Sequence, residues 1–173
     1  MFLFGIILSI FSPLFGIIWG LLYYIWKRQP LLSAIVIGFS FAFAFLGYIP
    51  EINADINRHM SWIEYYRHIP FSKCFDAGHY KMTYIWDAWN WVIAHFSDSN
   101  FLKASGAFVG YTISSYLLFD LGKRLSIGNR NIIVLFLTMI CIIPGHQVVC
   151  GVRNCNAFLF CCLFGVEDSR KSP

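Results

Sequence analysis

The sequence predicts an all-α protein, a polytopic bundle of transmembrane helices with an external region of amphipathic helices. Hydrophobic residues make up 58% of the chain and charged residues 13%, whereas about 25% is usual in soluble domains. Long uncharged runs alternate with two short basic connections and one long polar region. A chain this short has too little interior to hide so much apolar surface from water. Lipid is therefore the predicted solvent of most of the chain.

Residues 1–50 are predicted to form two transmembrane helices. The uncharged run 2–26 is long enough to cross a bilayer core of about 30 Å, with a kink at Pro13. Gly16 and Gly20 form a GxxxG pair, which allows another helix to approach closely. The second uncharged run, 31–49, ends before Pro50.

Residues 51–100 form the predicted external region. Read as a helix, the segment 48–70 separates a polar face from an apolar one, which suits a membrane surface with the reactive groups in water. The polar face comprises Glu51, Asp55, Arg58, His59 and Trp62, and the apolar face Ile52, Ile56, Met60 and Ile63. An ordinary interfacial loop is the alternative. Residues 84–96 are predicted to form an interfacial or re-entrant helix. Its apolar stripe of Trp86, Trp89, Ile93 and Phe96 lies beside Asp87 and Asn90.

Residues 101–166 predict further transmembrane helices. The first covers 101–121 and contains a second GxxxG pair at Gly106 and Gly110. The next begins at 131 and is broken by Pro144-Gly145, after which 154–166 resumes the apolar character. The charged tail 167–173 does not continue that pattern and is interpreted as a possible truncation scar.

The basic residues predict the orientation in the membrane. Two short connections are basic, one at Lys27-Arg28 and the other at 123–130. The positive-inside rule makes both cytoplasmic, so the amino terminus, the region 51–100 and the segment 146–153 are expected outside.

Two polar patches are candidates for chemistry on that external side. Arg153 follows a helix break, and its planar guanidinium suits a phosphate group. Asp55 is a candidate general base for a sugar hydroxyl, and Trp62, Tyr65 and Tyr66 are candidates for stacking on sugar rings. The alternatives are an Arg153 that reaches lipid headgroups, an Asp55 paired with Arg58 or His59, and an ordinary aromatic belt.

Other classes of site find no support in the sequence. The histidines lack zinc-ligand spacing, the six cysteines have no CxxC pattern, and no metal or cofactor is expected. The net charge of +4 is modest and scattered, which argues against a nucleic-acid partner.

The order of four features along the chain resembles the EpsG family. They are a span ending in Tyr48-Ile49-Pro50, the motif Asp55-x-x-Arg58-His59, an amphipathic helix and finally Gly151-Val152-Arg153-Asn154. These multi-pass proteins of the bacterial inner membrane are related to Wzy-type O-antigen and capsule polymerases. The resemblance covers most of residues 30–165. It implies Asp55 and His59 as catalytic residues, with Arg58, Arg153, Asn154, Trp62 and Tyr65 binding substrate. It also implies a lipid-linked oligosaccharide, membrane lipid and other polysaccharide-assembly proteins as partners.

Members of that family are usually about twice as long, so an inactive truncated fragment is one alternative. The other alternative is a non-enzymatic transporter of lipid-linked saccharides, or an assembly subunit that docks through its GxxxG helices.

Overall fold

The computed structural model describes residues 1–50, 55–75 and 84–143, together with positions 145, 148, 159, 161 and 162. In this part of the chain the fold is all-α, as predicted. It contains seven α-helices: α1 (Phe2–Phe11), α2 (Pro13–Lys27), α3 (Pro30–Leu46), α4 (Asp55–Arg67), α5 (Tyr84–Phe96), α6 (Asn100–Arg124) and α7 (Asn129–Ile142). A short 3-10 turn, Phe71–Lys73, follows α4. None of the described helices combines the length and the apolar character needed to cross a membrane.

The first uncharged run is two helices rather than one, so the prediction of a single kinked helix over 2–26 is wrong. Ser12 has an extended backbone, and Pro13 begins α2 at a position where its missing N–H costs nothing. Phe4 packs edge-on against Trp19, and Gly5 lies against the same indole. The two helices therefore form an antiparallel hairpin.

Small residues hold this hairpin against α3. A Cβ added at Gly16 would lie 2.8 Å from the Ser9 Cα and would also meet the hydroxyl groups of Ser9 and Ser40. Those two hydroxyl groups are hydrogen-bonded to each other at 2.8 Å. Gly20 lies against Ile37 of α3. The first GxxxG pair thus serves close packing, as predicted, but against helices of the same chain.

Helix α6 forms the centre of the bundle. It runs antiparallel to α3, where Phe41 stacks on Tyr111 at 3.6 Å between ring centroids and Gly38 lies against Thr112. Helix α7 returns along α6. A buried cluster joins the two to α2 and α3; its members are Tyr24, Ile37, Phe119, Ile132 and Phe136. The helices predicted near 31–49, 101–121 and 131–143 are therefore confirmed as helices.

The two basic connections meet at one end of the bundle, called here the basic end. Arg28 lies between α2 and α3. Its guanidinium donates hydrogen bonds to the Ile127 carbonyl, between α6 and α7, and to the Asn129 side chain at the start of α7. Helices α4 and α5 lie at the opposite end, where α3 ends and α6 begins. The hairpin turns near that opposite end, and Met1 returns to lie beside Trp19. The amino terminus thus lies beside the middle of α2 and not beside α4. The sides of the membrane to which these parts belong stay a prediction.

Candidate functional site

Helix α4 buries one face against the rest of the molecule. Ile56, His59, Ile63 and Tyr66 recur at three- and four-residue steps, and all four side chains are buried. The prediction that His59 faces water with Arg58 is therefore wrong. Its imidazole lies edge-on to the Trp86 ring, at 5.2 Å between centroids. Periodicity alone misassigned His59 because it lies between the two faces, four residues from Asp55 but three from Ile56.

The other predicted binding residues of α4 lie on its outer side. Arg58 is exposed, Tyr65 is 48% exposed, and Trp62 is partly buried. The rings of Trp62 and Tyr65 meet edge-on at 5.5 Å between centroids. Asp55 begins the helix, and its side chain lies outside the described part. One exposed cation and two aromatic rings therefore lie along the same helix.

Helix α5 runs parallel to α4 and is pinned to it at both ends. His59 faces Trp86 where the helices begin, and Arg67 donates hydrogen bonds to the carbonyls of Ala94 and Ser97 where they end. Trp91 donates a further hydrogen bond, of 3.0 Å, to the Ile69 carbonyl. The helix predicted over 84–96 is confirmed.

The orientation of α5 differs from the predicted stripe. Asp87, Asn90 and Ile93 point inward, and the first two are only 3% and 2% exposed. Ile85, Trp89, Val92 and Phe96 form the outer stripe; Ile85 is 89% exposed and Phe96 80%. Apolar side chains thus cover the outer side of α5, and its inner side buries Asp87 and Asn90 together with Ile93 and Ala94.

A buried hydrogen bond joins the two helices through Tyr66 and Asp87. Tyr66 was a candidate for stacking on sugar rings, but its ring is buried rather than open to a ligand in water, and Asp87 was not selected for the site. The Tyr66 hydroxyl donates to Asp87 Oδ1 at 2.7 Å. Burial, and next this hydrogen bond, raise the pKa of Tyr66 above its ordinary value near 10, so the phenol stays neutral. One turn on, Asn90 Oδ1 is buried without a hydrogen-bond partner among the described residues. The only available signal was a carboxylate and an amide three residues apart within an aromatic helix.

Lys103 is a second residue that the sequence analysis missed. Its side chain is buried near the start of α6, and the ammonium donates a hydrogen bond to the Tyr48 carbonyl, just beyond the end of α3. A cation is stabilised near the carbonyl end of a helix by the helix dipole. Lys103 thus ties α6 to the segment that leads into α4.

The second predicted patch, which contains Arg153 and Asn154, lies outside the described residues. Val148, five positions before Arg153, is described and fully buried. It belongs to the same buried cluster as Ile56 and Ile63 of α4. Val148 therefore packs into the same core as one face of α4, a core that α5 and α6 also help to form.

Metal ligands do not gather in the described part of the chain, where no group of three or more His, Cys, Asp or Glu side chains could hold an ion. Cys74 is buried, and Cys141, Cys161 and Cys162 are free thiols.

Comparison of the chain with protein-family models, with curated proteins and with solved structures found no match.

Proposed function

We propose that this chain is a membrane-embedded glycosyl-transferring polymerase of the EpsG and Wzy type, or part of one. It would join polyprenyl-diphosphate-linked oligosaccharide units in exopolysaccharide, capsule or O-antigen synthesis. The observation that supports this most directly is the shared cluster of Ile56, Ile63 and Val148. One core thus contains residues from the helix of the Asp55-x-x-Arg58-His59 motif and Val148, which lies three positions before Gly151 in the sequence.

Support for a membrane setting comes from the outer surface of the bundle. The inside of the α1–α2–α3 packing contains glycine and serine, whereas the outside is apolar. More than a third of the surface of each of the following is exposed: Leu3, Phe4, Ile7, Ile10, Phe11, Leu14, Phe15, Ile18 and Leu22 on α1 and α2, and Ile133, Val134, Leu135, Leu137 and Ile142 on α7. Contiguous apolar surface of this extent on a small protein indicates contact with lipid or another protein.

The proposal requires the bilayer to adapt to helices that are shorter than its hydrocarbon core. Helix α3 has 17 residues and α2 has 15, so each is about 22–26 Å long against a bilayer core of about 30 Å. Local thinning of the bilayer and long flanking side chains accommodate helices that are too short, at a fraction of a kcal/mol per Å of mismatch. In this arrangement the basic end faces the cytoplasm, and the α4–α5 end faces outward from the inner membrane.

The proposed reaction is a displacement at the anomeric carbon of the donor sugar. The acceptor hydroxyl forms the new glycosidic C–O bond, and the bond between the anomeric carbon and the diphosphate oxygen breaks. The bonding electrons leave with the polyprenyl diphosphate, and the hydroxyl proton passes to the Asp55 carboxylate and then to water. The chemistry requires no metal or cofactor.

Each residue has a role that follows from its chemistry. Exposed Arg58, together with Arg153, would stabilise the charge on the departing diphosphate. Trp62 and Tyr65 would bind sugar rings, and Asn154 would donate to sugar or phosphate oxygens. Because His59 is buried against Trp86, it would position the start of α4 rather than meet substrate in water.

The proposal is tested with the full chain reconstituted in lipid and supplied with purified lipid-linked repeat units, whose products are separated by chain length. We expect a ladder of longer saccharides from the wild type. Asp55→Asn and Arg153→Ala should each reduce polymer formation by about a hundredfold or more, as for other groups that act on the transition state.

Glu64→Gln is the matched control, since Glu64 is an exposed carboxylate of α4 paired with Arg67 at 3.0 Å. It should polymerise like the wild type. Undiminished polymer in Asp55→Asn and Arg153→Ala would contradict the assigned roles. Transfer of the lipid-linked unit across the membrane without elongation would favour the non-enzymatic transporter, and inactivity of the wild type would favour the truncated fragment.

A further inference from the structure

The basic end brings together cations that lie about a hundred residues apart in the sequence. Lys27 and Arg28 come from the α2–α3 connection, and Lys123, Arg124 and Arg130 from the α6–α7 connection. Hydrogen bonds from Arg28 to Ile127 and Asn129 hold the two connections against each other. The result is one positive surface rather than two separate loops.

Most of this charge is not neutralised within the described residues. Arg124 pairs with Asp120 at 2.7 Å, and Lys27 lies over the Trp26 ring at 5.6 Å. Lys123 and Arg130 are exposed and form no ion pair with any described side chain. Two solvent-facing cations thus come from the α6–α7 connection to which the Arg28 guanidinium is hydrogen-bonded.

Apolar side chains border the same surface. Trp26 is exposed beside Lys27, and Leu121 and Leu125 are exposed on either side of Lys123 and Arg124. An exposed indole next to basic residues is typical of the boundary between headgroups and acyl chains. Nucleic acid and acidic peptides would complement the charge but would leave these apolar groups in water.

We infer that the basic end is a binding site for anionic phospholipid headgroups. The phosphate lies between the α2–α3 and α6–α7 connections, on Lys123 and Arg130, and the acyl chains lie against Trp26, Leu121 and Leu125. Arg28 shapes the site by holding the connections together. This inference does not depend on the proposed polymerase activity.

Native mass spectrometry of the detergent-solubilised full chain tests the site, with phosphatidylglycerol and phosphatidylcholine offered in equal amounts. We expect the wild type to retain phosphatidylglycerol preferentially. Lys123→Gln and Arg130→Gln should each lower that retention about fivefold, the effect of losing one cation near an anionic lipid surface. Retention should also fall as salt is raised, because exposed charges are screened.

Lys73→Gln is the matched control, because Lys73 is an exposed lysine beyond α4, at the opposite end of the bundle. It should leave phosphatidylglycerol retention unchanged. Competition with inorganic phosphate separates the sources of the anion: a lipid site that also needs acyl contacts should resist phosphate at millimolar concentration.

Several outcomes would overturn the inference. These are equal losses in Lys73→Gln and Lys123→Gln, wild-type retention in both basic-end variants, equal retention of the two lipids, or complete displacement by millimolar phosphate. Binding of an RNA duplex or an acidic peptide at the basic end, with no preference for phosphatidylglycerol, would assign the surface to a different partner.

Discussion

Tyr66 and Asp87 link α4 to α5 through one short, buried hydrogen bond. A buried acceptor oxygen that loses its donor loses the hydrogen bond that compensates for its removal from water, at a cost of about 1–3 kcal/mol. This hydrogen bond therefore fixes the orientation of α4 against α5, and with it the direction in which Arg58 and Trp62 point.

Tyr66→Phe keeps the ring and removes only the donor. We expect the free energy of unfolding in detergent to fall by about 2 kcal/mol. Tyr65→Phe is the matched control, because Tyr65 is exposed, and it should change by less than about 0.5 kcal/mol. Equal effects of the two substitutions would show that the bond to Asp87 contributes nothing specific.

The raised pKa of Tyr66 predicts a pH dependence above neutrality. Below about pH 10 the phenol is neutral in both states, so its contribution to stability is fully present. Above about pH 10 the unfolded state loses this proton while the folded state retains it, so stability falls as the pH rises. Unfolding measured from pH 9 to 11 should show a steeper loss in the wild type than in Tyr66→Phe, and parallel curves would contradict the assignment.

The hairpin of α1 and α2 depends on close contact at Gly16. Alanine there gains up to about 1 kcal/mol of helix propensity but places its methyl group against the Ser9 backbone, and overpacking costs about 1–3 kcal/mol. We expect Gly16→Ala to destabilise the protein by about 1–2 kcal/mol in thermal unfolding. Gly47→Ala is the control, since no atom lies within 4 Å of its added Cβ, and it should be nearly neutral. A stabilised Gly16→Ala would mean that α1 does not pack there.

Helix α5 should contact lipid through its outer stripe, because Ile85, Trp89, Val92 and Phe96 face outward. Brominated acyl chains quench tryptophan fluorescence on contact, so Trp89→Phe should reduce the quenchable fraction in reconstituted protein. Trp91→Phe should not, because the Trp91 indole is partly buried and donates a hydrogen bond to Ile69. The reverse order would place the stripe away from lipid.

At the scale of elements, apolar runs and their breaks predicted most helices but not how they pack. The helix over 84–96 was predicted with its bounds, since thirteen mostly apolar residues there have helical spacing. Proline kinks one helix or begins another with the same fixed φ, so Pro13 alone did not reveal the hairpin. The contacts of Gly5 and Gly16 across the hairpin decide it, and they depend on tertiary structure.

The candidate site was only partly predictable for a related reason. Arg58 is exposed and Trp62 partly exposed, as the spacing indicated, because charged and amphipathic side chains there keep their polar groups in water. The burial of Asp87 and Lys103 was not predicted. A single charged residue in an apolar helix can be expected to be buried only when its hydrogen-bond partner is known. Tyr66 and the Tyr48 carbonyl are those partners, and both are distant in sequence.

For the whole molecule, we propose one polar end that contains the chemistry and one basic end that binds anionic lipid. Small residues lie inside the bundle and large apolar residues outside. This distribution suits a protein whose helices associate through close packing rather than through the hydrophobic effect. The two ends are separated by the length of α6, which is about 37 Å for its 25 residues.

Sidedness of the reconstituted protein tests this central claim most directly. Single cysteines at Ser61 in α4, at Asn154 in the second motif and at Ser126 in the basic end would be placed in a chain whose six native cysteines are replaced. A thiol reagent that cannot cross membranes should label residues 61 and 154 from one side and residue 126 only from the other. Labelling of residues 61 and 154 from opposite sides would contradict the account.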